Sequence, residues 1–267
     1  MLTLRRQNFL LVLTSTKSVI LNTQPNGGVQ ATPQDPYEIG QVVVLDKPLT
    51  WTSFDIVNKV RYLLRRYRGL RKVKVGHAGT LDPLATGILI VCTGRKTKEI
   101  TTYQDHDKEY VATIRLGAET PSFDLETEPF NLVDTKHITK DMVEQCLNTF
   151  IGQQQQYPPV YSAKKINGER AFVAAHEGRG DEVKMRPHII EVFAIEILEW
   201  NDETKEFKAR VHCSKGTYIR SLAHDIGKKL GVGGHLAGLR RTRIGEITLK
   251  NAISIEDFEK KLQQIEK

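Results

Sequence analysis

Gly76-His77-Ala78-Gly79-Thr80-Leu81-Asp82-Pro83-Leu84-Ala85-Thr86-Gly87 is the stretch from which the rest of the chain is best read. Its glycines permit tight turns and let backbone come close to a ligand. A single carboxylate, Asp82, sits between Leu81 and Pro83, and the proline restricts the backbone of the residue before it. Apolar flanks and a fixed backbone would present that acid at a defined place with little water around it. On spacing alone, the same pattern also reads as an Asx-type turn ahead of Pro83, a purely local role.

Outward from this loop the periodicity is clear. Val42-Val43-Val44-Leu45 predicts a strand ending at Asp46-Lys47-Pro48, and Thr52-Ser53-Phe54-Asp55 is a capping-box pattern. Ile56, Val57, Val60, Leu63 and Leu64 then form one helical stripe. The other faces and the tail of that helix carry Lys59, Arg61, Arg65, Arg66, Arg68, Arg71, Lys72 and Lys74, either a solvated face or a surface for an anionic partner. Strands are predicted at 88–92, 111–116, 192–200 and 207–213, the last alternating strictly. Residues 138–151 read as a helix with Met142, Val143, Cys146, Leu147 and Phe150 inward. A second helix runs from about Tyr218 to Leu230, stopped by Gly231. Residues 153–187 are polar and look like a long excursion from the core. Strands and helices are interspersed without a strict βαβ rhythm, so the expected fold class is α+β.

Composition narrows the function classes. With 39 Lys+Arg against 32 Asp+Glu in 267 residues the formal net charge is +7, which suits an anionic partner without proving one. Hydrophobic residues at 39 % are ordinary for a globular protein, and no apolar run approaches a membrane span of about 18 residues. Cys92, Cys146 and Cys213 are too dispersed for a disulfide framework or a CxxC site. His212, His224, Asp225 and His235 match no standard ligand spacing, so no metal is expected. A Walker A motif, a dinucleotide fingerprint and a G-x-S-x-G elbow are all missing. Residues 1–39 differ from the remainder: Met1 to Gln34 contains no acid. They read as a disordered N-terminal extension of a cytoplasmic protein, with an organellar transit segment as the alternative.

The loop 76–87 (GHAGTLDPLATG), together with Leu45-Asp46-Lys47-Pro48 and Thr52-Ser53, resembles the TruB family of tRNA pseudouridine-55 synthases. Lys108-Glu109-Tyr110, the block from Pro158 to Lys165, Ser214 to Arg220, and Leu239-Arg240-Arg241 match further family blocks in the same order. The resemblance covers about residues 40–250. It implies a pseudouridine synthase catalytic domain over 40–267, built on a mixed, mainly antiparallel sheet flanked by helices, with 153–187 as an inserted RNA-clamping element. With the chain ending at Lys267, the small C-terminal RNA-binding domain of many family members is not expected.

The same resemblance implies isomerisation of uridine 55 in the T-loop of tRNA, without a cofactor; a monomer is expected separately, since the sequence shows no exposed heptad or long apolar patch. Asp82 would be the catalytic carboxylate, attacking ribose or base or abstracting a sugar proton. Arg220 would pair with it and lower its pKa. Tyr110 would stack on the flipped base, His77 would take the vacated space, and Tyr218 and Leu239 would line the uridine pocket. Lys47 and Pro48 would support the loop. The basic stretch 59–74 and Arg240, Arg241 and Arg243 would contact phosphates. One departure is Thr50, in a slot often filled by glycine. Two other classes remain: a noncatalytic tRNA-binding or folding module, and a synthase acting on another RNA.

Overall fold

The Val42–Lys47 strand is buried on alternate residues and begins the main sheet, while the capping box at Thr52 and Asp55 starts the helix after it. The computed structural model describes residues 19–23, 29–162, 164–166 and 168–264. In chain order the elements are β1 (Val19–Thr23), β2 (Val29–Pro33), α1 (Pro36–Ile39), β3 (Val42–Lys47), α2 (Ser53–Arg68), β4 (Val75–Ala78), β5 (Ala85–Thr93), α3 (Ile100–Asp105) and β6 (Lys108–Leu116). They continue with α4 (Lys140–Asn148), β7 (Gly152–Gln156), β8 (Lys165–Ile166), β9 (Glu169–Arg170), α5 (Ala171–His176), β10 (His188–Asn201) and β11 (Glu206–Cys213). The last are α6 (Ile219–Lys229), β12 (Gly234–Ile244), β13 (Ile247–Thr248) and α7 (Ile255–Gln264).

The main sheet runs β3-β5-β12-β6-β11-β10-β7, with β4 added to β5 and β13 to β12. Its pairs are antiparallel except β5 with β12, which is parallel. The predicted α+β class, a mainly antiparallel sheet flanked by helices, therefore holds. Of the three apolar clusters that cover it, two are large. In one, α4 and α6 pack Val143, Leu147, Leu222 and Ile226 against Ala112, Ile114, Ala209 and Val211 of β6 and β11. In the other, the α2 stripe meets Leu45, Leu89 and Val91, with Phe258 and Leu262 of α7 closing the layer. Each fully buried Leu or Ile here contributes about 1.5–3 kcal/mol. Met142, expected inward on α4, is 40 % exposed, whereas its neighbours Val143 and Cys146 are buried.

One edge of β5 changes partner, and that change shapes the site. Residues 85–87 pair with β12, whereas Ile90 to Thr93 pair with β4. At the changeover Gly87 (φ 101°) passes so close to β12 that a Cβ would lie 2.2 Å from the Arg241 carbonyl oxygen. Glycine is required there by contact and by conformation alike.

Two boundaries differ from the sequence reading. Gly152–Gln156 is a full strand paired with β10, so the excursion leaves the sheet after Gln156 rather than at 153. Within the N-terminal extension, residues 1–18 and 24–28 lie outside the described residues, and β1 and β2 form a ribbon of their own. Just after it, α1 is capped by Asp35, whose carboxylate also pairs with Arg68 at 2.7 Å.

Candidate active site

Asp82 is held by its loop from several sides. Ser53, the first residue of α2, accepts from the Leu81 N–H at 2.8 Å and donates to the Leu81 carbonyl at 3.1 Å. The Pro83 carbonyl accepts from the Thr50 N–H at 2.9 Å and lies 3.4 Å from the buried Lys47 ammonium. Lys47 donates also to the carbonyls of Pro48 (2.9 Å) and Trp51 (2.5 Å). Lys47 and Pro48 thus tie the start of α2 to the Asp82 loop, and burial lowers the Lys47 pKa from an ordinary 10.5 to about 8. Thr50 stands at φ 69°, so the glycine-like backbone conformation is kept although the side chain is β-branched.

The Asx-turn reading does not describe Asp82: its backbone carbonyl closes the turn to Ala85, and its side chain faces Arg220. Arg220 Nε stands 3.0 Å from Asp82 Oδ2. The same guanidinium lies 3.5 Å from Asp124 Oδ2 and donates to the Ser122 carbonyl at 3.2 Å. The arginine side chain is 4 % exposed, whereas Asp82 keeps 38 % of its side-chain surface open to the cavity. The expected lowering of the Asp82 pKa is corrected. Burial pushes it up, Arg220 and Lys47 oppose that push, and Asp124 adds to it.

Above the pair lies a cavity of about 410 Å³, within the roughly 300–1,000 Å³ usual for small-ligand sites. Asp82, Tyr110, Tyr218, Arg220 and Leu239 all line it, so five residues scattered over the sequence converge as the resemblance implied. Tyr110 reaches the cavity from β6 and Leu239 from β12, while Tyr218 is the N-cap of α6 with Arg220 in its first turn. Burial raises the hydroxyl pKa of both tyrosines, and Asp82 pushes that of Tyr218 further. His77 does not line the cavity. It pairs with Val91 in β4, its Nδ1 is buried without a hydrogen-bond partner, and burial followed by Arg241 lowers its pKa.

Arg241 of β12 departs from the expected phosphate contact. Arg241 is 1 % exposed. It donates through Nε to the Ile88 carbonyl at 2.8 Å and through Nη2 to the Gly79 carbonyl at 3.0 Å, filling the notch where β4 replaces β12 along β5. A cation so enclosed braces the loop and the cavity instead of meeting phosphates. Arg240 and Arg243 are likewise engaged, with Asp46 (2.7 Å) and Asp107 (2.8 Å). Sequence reasoning had no signal for Asp124, since its partner is far away along the chain. Lys108, read only as part of a matching block, also lines the cavity, and burial brings its pKa to about 8.

Among the described residues no group of three or more His, Cys, Asp or Glu is placed to hold a metal ion. The three cysteines are buried and unpaired with one another. No helix of the described residues is long and apolar enough to cross a membrane.

Comparison with known proteins agrees with this architecture. The family model for the N-terminal domain of TruB family pseudouridylate synthases matches residues 65–219, and that for the C-terminal domain of tRNA pseudouridylate synthase B matches 220–267. The second stretch includes β12, which sits in mid-sheet between β5 and β6. A crystal structure of a Cbf5-Nop10-Gar1 complex superposes with a TM-score of 0.62 at 30 % identity, covering 92 % of this chain and 63 % of that one. Fold and cavity together define a pseudouridine synthase. Tighter matches lie in sequence: "tRNA pseudouridine synthase B" of Phocaeicola vulgatus is 53 % identical over 230 residues, 86 % of this chain and 96 % of that protein. The protein of the same name from Parabacteroides distasonis is 54 % identical over 225 residues, 84 % and 94 % of the two chains. The chain belongs to the TruB family.

Proposed function

We propose that this enzyme isomerises uridine 55 in the T-loop of tRNA to pseudouridine, with Asp82 as its catalytic carboxylate. The observation that carries the reading is the Asp82–Arg220 pair at 3.0 Å on the floor of a cavity walled by Tyr110, Tyr218 and Leu239. The N1–C1′ bond breaks, the uracil turns, and C5 bonds to C1′. C5 loses its proton and N1 gains one, so nothing else is consumed. One enclosed carboxylate suffices for this, acting on ribose or base as a nucleophile or on the sugar as a base. Arg220 favours the ionised form against the burial that opposes it.

A target base inside a folded loop must be flipped out, at a cost of a few kcal/mol. Stacking on Tyr110 offsets it by about 1–3 kcal/mol. Tyr218 and Leu239 close the base in, and His77 fills the space that the nucleotide leaves. The excursion beyond Gln156 folds over the T-arm, recognising it by shape. The exposed basic residues around 59–74 contact phosphates, which gives affinity without sequence readout. Partner and setting are tRNA in the cytoplasm, and the enzyme works as a monomer.

The test is tritium release from a [5-³H]uridine T-arm transcript by wild type and Asp82→Asn. Release by wild type and a loss of at least about 10³-fold in the variant is expected. No release by either protein, with RNA binding kept, would favour a noncatalytic RNA-binding module.

A further inference from the structure

Tyr218 forms a wall of the cavity, and as the N-cap of α6 its side chain makes no capping hydrogen bond to the helix. Its backbone is held instead from the end of β7. Gln156, 3 % exposed at the end of β7, accepts from the Tyr218 N–H at 2.8 Å and donates to the Tyr218 carbonyl at 3.0 Å. One amide thereby meets both polar groups of one residue, as a neighbouring strand would. Across the ladder from Gln156 stands His188. Its Nε2–H donates to the Gly216 carbonyl at 2.9 Å, and its ring meets the Tyr218 ring edge-on at 6.0 Å and 83°. Gln156 and His188 are the residues at which the excursion leaves and rejoins the sheet. Ser221, one residue past Arg220, donates to the Tyr157 carbonyl at 2.7 Å, on the outgoing stem.

We propose that Gln156 and His188 are positioning residues for the isomerisation. They grip residues 216–218 and so hold the Tyr218 wall, and the Arg220 that follows it, at their working distance from Asp82. The stems of the excursion thus set the cavity's geometry as well as carrying the RNA-facing segment. The inference rests on the reading of this cavity as the uridine site. Misplacement by about 1 Å is enough to cost roughly 10²-fold in rate, and loss of the amide leaves the Tyr218 N–H without its partner, while the Tyr218 carbonyl keeps only the Leu222 N–H at 3.1 Å.

The experiment measures single-turnover tritium release with enzyme in saturating excess over tRNA, and tRNA affinity separately, for Gln156→Ala and Gln156→Met beside wild type and Asp82→Asn. Methionine keeps the volume of glutamine but neither hydrogen bond. Both variants are expected to slow the saturated rate about 30–100-fold while tRNA Kd stays within about threefold. If the alanine variant does not fold, the methionine variant carries the test. A methionine variant within threefold of the wild-type rate overturns the proposal, because packing alone then suffices. A loss confined to Kd also overturns it, since the amide then serves RNA docking. Absence of release by wild type would instead strike the proposed function itself.

Discussion

The floor of the cavity and the excursion above it are built on opposite plans. The floor is braced through buried cations: Lys47 on three carbonyls, Arg241 in the β5 notch, and Arg220 between Asp82 and Asp124. Each of them donates to backbone carbonyls, which fixes the Asp82 loop from several sides. Past Gln156, the described residues of the excursion hold two strands of two residues each, a six-residue helix and a three-residue 3-10 turn (Gly180–Glu182). Elements this short bury little apolar surface and open at low cost. On the proposed function, the difference separates labour: the groups assigned to the reaction sit where movement is expensive, and those assigned to RNA contact where it is cheap.

If that division holds, a floor variant should damage the rate, and an excursion variant the affinity. Arg220→Ala is expected to have the largest effect, slowing saturated turnover about 10²–10³-fold because Asp82 loses its ion pair and Asp124 is left a buried acid without its arginine. Its pH profile sharpens the point. Burial already raises the Asp82 pKa, and loss of the arginine removes the leading opposing influence. The acid limb of kcat/KM should therefore move to higher pH than in wild type; an unmoved limb would detach Arg220 from the titration of Asp82.

Lys164 lies in the excursion and lines the cavity. Lys164→Ala should weaken tRNA binding about 3–10-fold and flatten the salt dependence by about one phosphate contact, with the saturated rate unchanged. Filter binding at several salt concentrations reads this, and a fall in the saturated rate instead would break the comparison.

The two smaller effects concern the stability of the floor. Folded Lys47 loses its proton near pH 8, whereas the unfolded chain keeps it to about 10.5. In that window the unfolded state binds more protons, so wild type should gain stability relative to Lys47→Met as pH rises from 8 to 10.5. Urea melts of both proteins at pH 7.5 and 9.5 test the sign. Thr50→Gly should stabilise by about 0.5–1 kcal/mol, or about 2 °C in Tm, since relief of the left-handed strain exceeds the entropy that glycine adds to the unfolded chain.

Local patterns in the chain were legible residue by residue. The capping box at Thr52 and Asp55, the α2 stripe and the alternation in β11 all appear where their periodicities put them. Neighbours in sequence carry the information for such features. Arg241 is the contrary case: a basic triplet in a strand with an irregular apolar pattern reads as surface, yet its guanidinium is enclosed by carbonyls from two segments more than 150 positions away.

The sequence by itself determined the α+β class, the rigid loop that presents Asp82 and, through its blocks, the family. Only the tertiary structure decided which charges are spent on the protein's own backbone, that Asp124 stands behind Arg220, and that Gln156 reaches Tyr218. It also decided that His77 stays outside the cavity lining. The physical reason is distance along the chain: Gln156 and Tyr218 are 62 positions apart, and Ser122 and Arg220 are 98 apart. No local period records such a pairing. It exists only once the sheet order brings β7, β10 and the start of α6 to one end of the cavity.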